Sequence, residues 1–487
     1  MMKYLISIDI GTTSAKLIAY SIEGKIISER NSRYNTYTPK DGFFEQNPEE
    51  IFESVTEKLK DIISDNKTKV LLGISFSTAM HSIAAIDEND ELLTNALLWS
   101  DRRSEKLVKK YKESNIIHNI FLKTGTPIHA MSPLFKIMWF REEKKDIFQK
   151  TKKFISIKEY IIFKLTGKYY VDYSTASATG LFDIHVREWS REAIDFLGID
   201  EGYLSESVDI DFKIYDIKEE YREFLGLAKD IPFIIGGSDG CMANLGVNDM
   251  EEGTAVITLG TSAAVRVGSK NPEVDNGKRI FTYILDKNHY ISGGAVNNTG
   301  IVLEWLKEKL FPGLDYKEIF QILEDTEDIA GIPVFLPYLL GERAPIWNSN
   351  ARGVFFGISL EHKQEHFVRA VLEGIIYSIY DVFRVLDSMK DIKKIYINGG
   401  LSRSEAFVRT MADVFNREIL ISENYESSCF GAFITGMAAV EEIENIESFN
   451  NIKFEVKKIT PDREKHKVYM EKFRIYKEVY NSLKEIF

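Results

Sequence analysis

Cysteine is scarce in this 487-residue chain: Cys241 and Cys429 are the only two, and neither belongs to a Cys-x-x-Cys pair. That scarcity excludes a disulfide framework and fits a reducing, cytoplasmic setting. Long apolar runs are also missing. No stretch of about 18 apolar residues occurs, and the first run, Tyr4 to Ile10, is broken by Asp9 and lacks a small-residue cleavage pattern. Neither a membrane span nor a signal peptide is expected. Basic charge is in deficit, with a formal net charge of -12, which argues against nucleic acid or an anionic membrane as the main partner. Finally, there is no G-x-x-x-x-G-K-[ST] and no G-x-G-x-x-G, so a P-loop and a Rossmann dinucleotide site are both set aside.

What is present is 44% hydrophobic and long enough for at least two ordinary domains. Near its centre the stretch IGGSDGCMANLG, Ile235 to Gly246, runs from a buried-strand pattern through Gly236 and Gly237 to Asp239, where a helical pattern begins. A carboxylate on a glycine turn can approach a ligand closely, which suits a general base. Taken alone, Asp239 reads first as the N-cap of the helix that follows.

The chain opens with LISIDIGTTSAKLIAYS, two β-rich runs around a small-residue turn. Gly11, Thr12, Thr13 and Ser14 offer N–H groups and hydroxyls without bulk, as a loop wrapped around phosphate oxygens requires. Asp9 at the strand end suits a hydrated Mg²⁺, and Lys16 adds a point charge for phosphate. AVITLGTSAAVRVGS echoes this pattern, with Gly260, Thr261 and Ser262 in the turn, 249 residues beyond Gly11. A repeat at half the chain length implies two similar halves, and two such hairpins make a nucleotide site.

Other segments are less specific. In STAMHS and LLWSDRRS, Met80, His81, Trp99 and Asp101 form a candidate substrate pocket, although on these residues alone core packing, a satisfied buried imidazole and a solvated helix start are the better explanations. His362, Glu365 and His366 match a zinc-peptidase spacing, but at the charged start of an amphipathic helix they read as a solvated face. Gly399 and Gly400 end a strand and let a flat ligand lie on bare backbone; Ser402 with Glu405 reads as a capping box. The last amphipathic pattern, from Val468, repeats Ile475, Val479, Leu483 and Phe487.

In this order, the motifs resemble the FGGY carbohydrate kinase family over essentially the whole chain. The resemblance implies an α/β fold of two actin-like (ribonuclease H-like) ATPase domains with an interdomain catalytic cleft. Residues 1–245 would bind sugar and carry the base, and residues 246–487 would bind nucleotide. It implies ATP and Mg²⁺, with Asp239 as catalytic base and Asp9 and Asp239 at the metal. Asp9, Gly11 to Ser14, Lys16, Gly260 to Ser262, Gly399 and Gly400 become nucleotide-site residues, joined by Gly300 and Ser404 at positions matching family contacts. Ser404 replaces a residue that is often asparagine in glycerol kinases. Met80-His81 would touch the sugar beside Trp99, Asp101 and Asp239. STAMHS, TPIHAMSP, LLWSDRRS and LLGERAPIWN look most like the family's gluconate kinases, with xylulokinases and other pentulose kinases as the alternative. A sugar acid needs a cation or N–H groups for its carboxylate, and Arg102, Arg103, Lys136 and Arg343 are available. Family members are commonly monomers or dimers, so a homodimer is possible. A non-catalytic sugar-sensing switch is the reading of another class, disfavoured because Asp239 is present.

Overall fold

The structure, a computed structural model, describes residues 1–247, 250–326, 328–422, 426–449 and 456–487. The alternating apolar residues at the start of the chain fold into β1 (Lys3–Ile10), β2 (Ser14–Ser21) and β3 (Ile26–Arg33), a meander of antiparallel strands. β4 (Val70–Thr78), β5 (Lys213–Ile214) and β6 (Phe233–Ser238) complete a sheet in the order β5-β6-β4-β1-β2-β3. β4 is parallel to both β1 and β6. Its register sets Asp9 opposite Ser77 and Gly237 opposite Ser77 on the other side, so Asp9 and the residues leading to Asp239 reach the same edge of the sheet.

One helix on this sheet has the spacing of an amphipathic segment. Pro48–Asp65 is capped by Asn47, starts with proline at its first position and buries Ile51, Phe52, Val55, Leu59 and Ile62 at helical intervals. Another comes from far along the chain. Ser427–Ala439 carries Phe430 and Phe433, which pack on Tyr20 with ring centroids 5.7 and 5.0 Å apart.

Two compact units result, each assembled from separated segments. The first comprises Met1–Met250, Ser269–Ile291 and Glu426–Lys453; the second comprises Glu251–Gly268, Ser292–Tyr425 and Phe454–Phe487. A single cut after residue 245 therefore describes the order of the sequence rather than the composition of the units. The reason lies in small residues: the helix Asp239–Leu245 and the helix Ser427–Ala439 approach so closely that a Cβ on Gly431 would lie 2.0 Å from the Met242 carbonyl oxygen.

The second unit repeats the strand plan. β7 (Thr254–Leu259) and β8 (Ala263–Ser269) are antiparallel. With β9 (His289–Val296), β10 (Lys394–Asn398), β11 (Ile419–Ser422) and β12 (Val456–Ile459), the order runs β9-β8-β7-β10-β11-β12 within a seven-stranded sheet whose remaining strand, Phe281–Asp286, lies beside β9. β7 and β10 are parallel and place Thr258 opposite Asn398, so Gly260 and Gly400 each follow two residues later. Helix Gln364–Lys390 runs through the core of this unit, and the final helix, Arg463–Leu483, begins earlier than Val468. Its buried face is aromatic, Tyr469, Phe473, Tyr476 and Tyr480 beside Val479, while Ile475 and Leu483 are only half-buried. Tyrosines count as polar in a pattern search yet bury their rings when the hydroxyl finds a partner, as Tyr476 does with Tyr338 at 2.6 Å. Among the described residues, no helix is long and apolar enough to cross a membrane.

Gly431→Ala is expected to destabilise the first unit by about 3 kcal/mol or more, because backbone cannot yield to the added methyl. Thermal unfolding compared with Gly313→Ala, where a Cβ meets nothing within 4 Å and the backbone is not left-handed, separates crowding from the loss of glycine itself.

Candidate active site

In the first unit the turn after β1 is held by its own backbone, with Gly11 N–H donating to Ser14 O at 3.0 Å. Side chains brace it from outside: the Tyr34 hydroxyl donates to Gly11 O, Gln46 Nε2 to Thr12 O at 2.5 Å, and Trp99 Nε1 to Thr12 Oγ1 at 3.0 Å. Thr13 points to solvent. Asp9 sits directly across β2 from Lys16 and accepts from Ser77 Oγ at 2.6 Å. The residue keeps part of its surface open, but its carboxyl is ringed by protein. Burial, reinforced by the Asp239 and Glu426 carboxylates and opposed by Ser77 and Lys16, pushes the Asp9 carboxyl up to about 7. Lys16 Nζ is held by Glu426 at 2.5 Å. Asp239 opens its short helix, but Ser238 is the capping residue, and Asp239 Oδ1 accepts from Gly240 N–H at 2.7 Å. Half-buried, it keeps an open side at the strand end.

Met80, Trp99, Gly11 and Thr12 line one narrow recess together with Gln46, Thr78 and Leu98. His81 follows with a left-handed backbone, φ 68°, and its Nδ1 meets the Ala178 carbonyl at 2.8 Å. A carbonyl only accepts, so in the neutral ring the proton is on Nδ1 and Nε2, 3.5 Å from the Tyr283 hydroxyl, is an acceptor. Asp101 differs from expectation. It is buried, and its oxygens take Phe44 N–H at 2.8 Å and the Arg103 guanidinium at 2.8 Å through both Nε and Nη2. Its work is to anchor the loop behind Trp99, because a desolvated carboxylate needs a paired cation.

Of the four cations proposed for a carboxylate, three are committed elsewhere. Arg103 is also bound to Glu45 at 2.7 Å and stacks between Phe43 and Trp139. Lys136 is fully buried and donates to the carbonyls of His81 and Leu98, each at 2.6 Å; burial, only partly offset by Asp101, pushes its ammonium down to about 7. Arg343, in the second unit, donates to Asn297 Oδ1 at 2.7 Å. Arg102 is exposed.

The second unit contains a cavity of about 700 Å³, within the range of small-molecule sites. It brings together the expected Gly260, Thr261, Gly300, Gly400 and Ser404, whereas Ser262 and Gly399 lie outside its lining. The turn is sewn to the helix Gly300–Trp305: Gly300 N–H donates to Gly260 O at 3.1 Å, and Thr299 Oγ1 to Gly260 O at 3.0 Å. A Cβ on Gly300 would come 2.7 Å from that same oxygen. Ser404, not Ser402, caps the helix Glu405–Phe415, accepting from Phe407 N–H at 3.3 Å; Ser402 bonds Gly399 O and Glu405 pairs with Arg409 and Lys457. Sequence reasoning missed the cavity's apolar wall, Leu303, Tyr316, Phe320, Leu401 and Ala406. Tyr316 and Phe320, four apart on a helix whose buried residues are Ile319 and Leu323, were the available signal. The histidines of the zinc-like motif are turned to backbone, His362 to Gly331 O and His366 to Lys363 N–H, and no cluster of three metal-ligating side chains occurs among the described residues.

The raised Asp9 pKa has a consequence for stability in metal-free buffer. The folded protein holds a proton that the unfolded chain has lost above about pH 4, so stability falls as pH climbs towards about 7 and then levels off. Asp9→Asn should be more stable than the parent at pH 8 by roughly 1–3 kcal/mol, with a smaller gap at pH 5, read from thermal unfolding in chelator.

Comparison with known proteins agrees with this geometry. The N-terminal domain of the FGGY family of carbohydrate kinases matches residues 4–246, and its C-terminal domain matches residues 255–440. A gluconokinase of Bacillus licheniformis is 41% identical over 96% of this chain and 94% of its own. A xylulose kinase of Lactococcus lactis is 33% identical over 86% of this chain and 84% of its own. Among solved structures, a gluconate kinase from Lactobacillus acidophilus superimposes with a TM-score of 0.96 at 33% identity, covering 99% of this chain and 98% of its own. With both domain matches in sequence order and the two glycine turns at corresponding strand ends, the chain belongs to the FGGY family of carbohydrate kinases.

Proposed function

We propose that this carbohydrate kinase transfers the γ-phosphoryl group of ATP to the terminal hydroxyl of D-gluconate, giving 6-phospho-D-gluconate. The observation that carries the choice of substrate is the higher identity to gluconokinases, 41% and 40% over 96% of the chain, than to a xylulose kinase at 33%. Asp239 is the general base. It stands at the end of β6, half-open, close enough to Asp9 for each carboxylate to feel the other, and can accept the hydroxyl proton as that oxygen attacks phosphorus.

The adenosine end of ATP belongs in the second unit's cavity, where the face of Gly400 is bare and Tyr316 and Phe320 supply an apolar wall for a base. Met80, in the recess beside Trp99 and Thr12, and His81 next to it are the residues for contact with the sugar. Asp9 and Asp239 fit Mg²⁺: both are hard oxygen donors, and their mutual repulsion, added to that of Glu426, is what a divalent cation relieves. When bound, the ion neutralises charge on the phosphates. Lys16, now paired with Glu426, is the nearby cation for phosphate oxygens.

The decisive assay is ADP release with Mg²⁺-ATP and D-gluconate, D-xylulose, L-ribulose or glycerol. Turnover on gluconate above the others is the expected outcome; preference for a ketose would overturn the substrate and leave the kinase. Asp239→Asn should lower kcat by about 10²- to 10⁴-fold while changing the ADP dissociation constant less than about threefold. Undiminished kcat would remove Asp239 from the role of base.

A further inference from the structure

We propose that a buried ion pair, Lys158 with Asp172, acts through Ser174 to set the position of Asp239; the proposal rests on Asp239 being the base. The four polar residues of this network are almost wholly enclosed: Lys158 is 1% exposed, and Asp172, Ser174 and Ser238 are 0%. Lys158 Nζ lies 2.5 Å from Asp172 Oδ2 and donates to Ile235 O at 3.3 Å. Asp172 Oδ1 accepts from Ser174 Oγ at 2.6 Å and from Thr175 N–H at 2.9 Å. Ser174 Oγ in turn accepts from Ser238 N–H at 2.6 Å. The ion pair thus grips the strand end at two points, the Ile235 carbonyl through its cation and the Ser238 amide through its anion.

Between those points the sheet itself gives way. The register between β6 and β4 shifts between Ile234 and Gly237, and Gly236 has φ +62°. Side chains are excluded there, since a Cβ on Gly236 would fall 1.7 Å from the Phe76 carbonyl oxygen and one on Gly237 2.6 Å from Met242 Cε. The ladder resumes beyond this bulge, with Gly237 opposite Ser77 and Ser238 opposite Thr78, but two pairs at a strand end cannot alone fix the direction in which the chain leaves it. Ser174 can, because its direction is forced: an ionised Asp172 only accepts, so the Ser174 proton goes to Asp172 and its lone pair is left for Ser238 N–H. Asp239 is the next residue.

Stability alone is a weak account of the pair. A buried ion pair is often no better than apolar residues of the same size, whereas its fixed geometry specifies one arrangement. A base needs that, since displacement by about 1 Å can cost about a hundredfold in rate. Lys158 and Asp172 are therefore positioning residues, linked to the reaction through Ser174 and the Ser238 amide.

A double-mutant cycle on the full-length kinase separates positioning from mere support. Ser174→Ala, which leaves the buried Ser238 amide without its acceptor, should lower the melting temperature and keep the KM for ATP within about twofold while kcat falls by about 10- to 100-fold. In the Asp239→Asn background the same change should leave the residual rate, followed with radiolabelled ATP, unaltered. An unchanged kcat for Ser174→Ala, or an equal fall in both backgrounds, would overturn the proposal. The joint variant Lys158→Met with Asp172→Asn leaves no unpaired charge, but the introduced amide can donate as well as accept, so the direction of Ser174 is no longer forced; it provides a second reading should Ser174→Ala fold poorly. It should show the same fall in kcat, and full turnover would count against the network. Undiminished turnover of Asp239→Asn alone would sink the base reading instead, an arm that does not involve Ser174.

Discussion

Negative charge is crowded where β1 and β6 end, and most of the first unit's polar design answers to that crowding. Asp9, Asp239 and Glu426 influence one another in a largely desolvated setting, with Lys16 the cation among them. Such an arrangement is unfavourable for a resting protein and useful for one that must receive a divalent cation and a polyphosphate. The hydroxyl of Ser77 and the ammonium of Lys16 ease that repulsion, yet burial and the neighbouring carboxylates still hold the Asp9 carboxyl up at about 7.

The two sheets use one plan for unlike chemistry. Where the first has Asp9 two residues before Gly11, the second has Thr258 two residues before Gly260. The carboxylate is replaced by a neutral hydroxyl, and the strand end opens on a roomy apolar cavity instead of a cluster of acids. The same strand plan thus carries a carboxylate at one turn and a hydroxyl at the matching point of the other.

How much of this was legible beforehand depended on whether the determinant was local. Glycines announced both turns, although a Cβ on Gly11 or Gly260 would come only to 3.2 Å from Ser14 O or 3.5 Å from Ser262 O, and Asp239 stood out for following Gly236 and Gly237, where no Cβ fits. The role of Asp101 was misread, since its partners Phe44 and Arg103 become neighbours only through folding, and Lys136 was counted as available when it is sealed beneath His81 and Leu98. Ser402 was chosen over Ser404 as a cap because the Ser-x-x-Glu spacing fitted, but a short helix at Gly400–Arg403 shifts the true start. Glu426 and Asp172 carried no signal: one is remote in sequence from Lys16, and the other looks like any turn aspartate until Lys158 is seen against it.

The interleaving of segments bears on how the protein is made. The helix Ser427–Ala439 seals Tyr20 and lies against the Met242 backbone, yet the ribosome delivers it long after the sheet it covers. At ordinary elongation rates the gap from Gly246 to Ser427 takes roughly ten to forty seconds. Throughout that interval the nascent first unit has an unfinished apolar face, so a truncated product ending before this helix would be an aggregation hazard rather than a smaller enzyme.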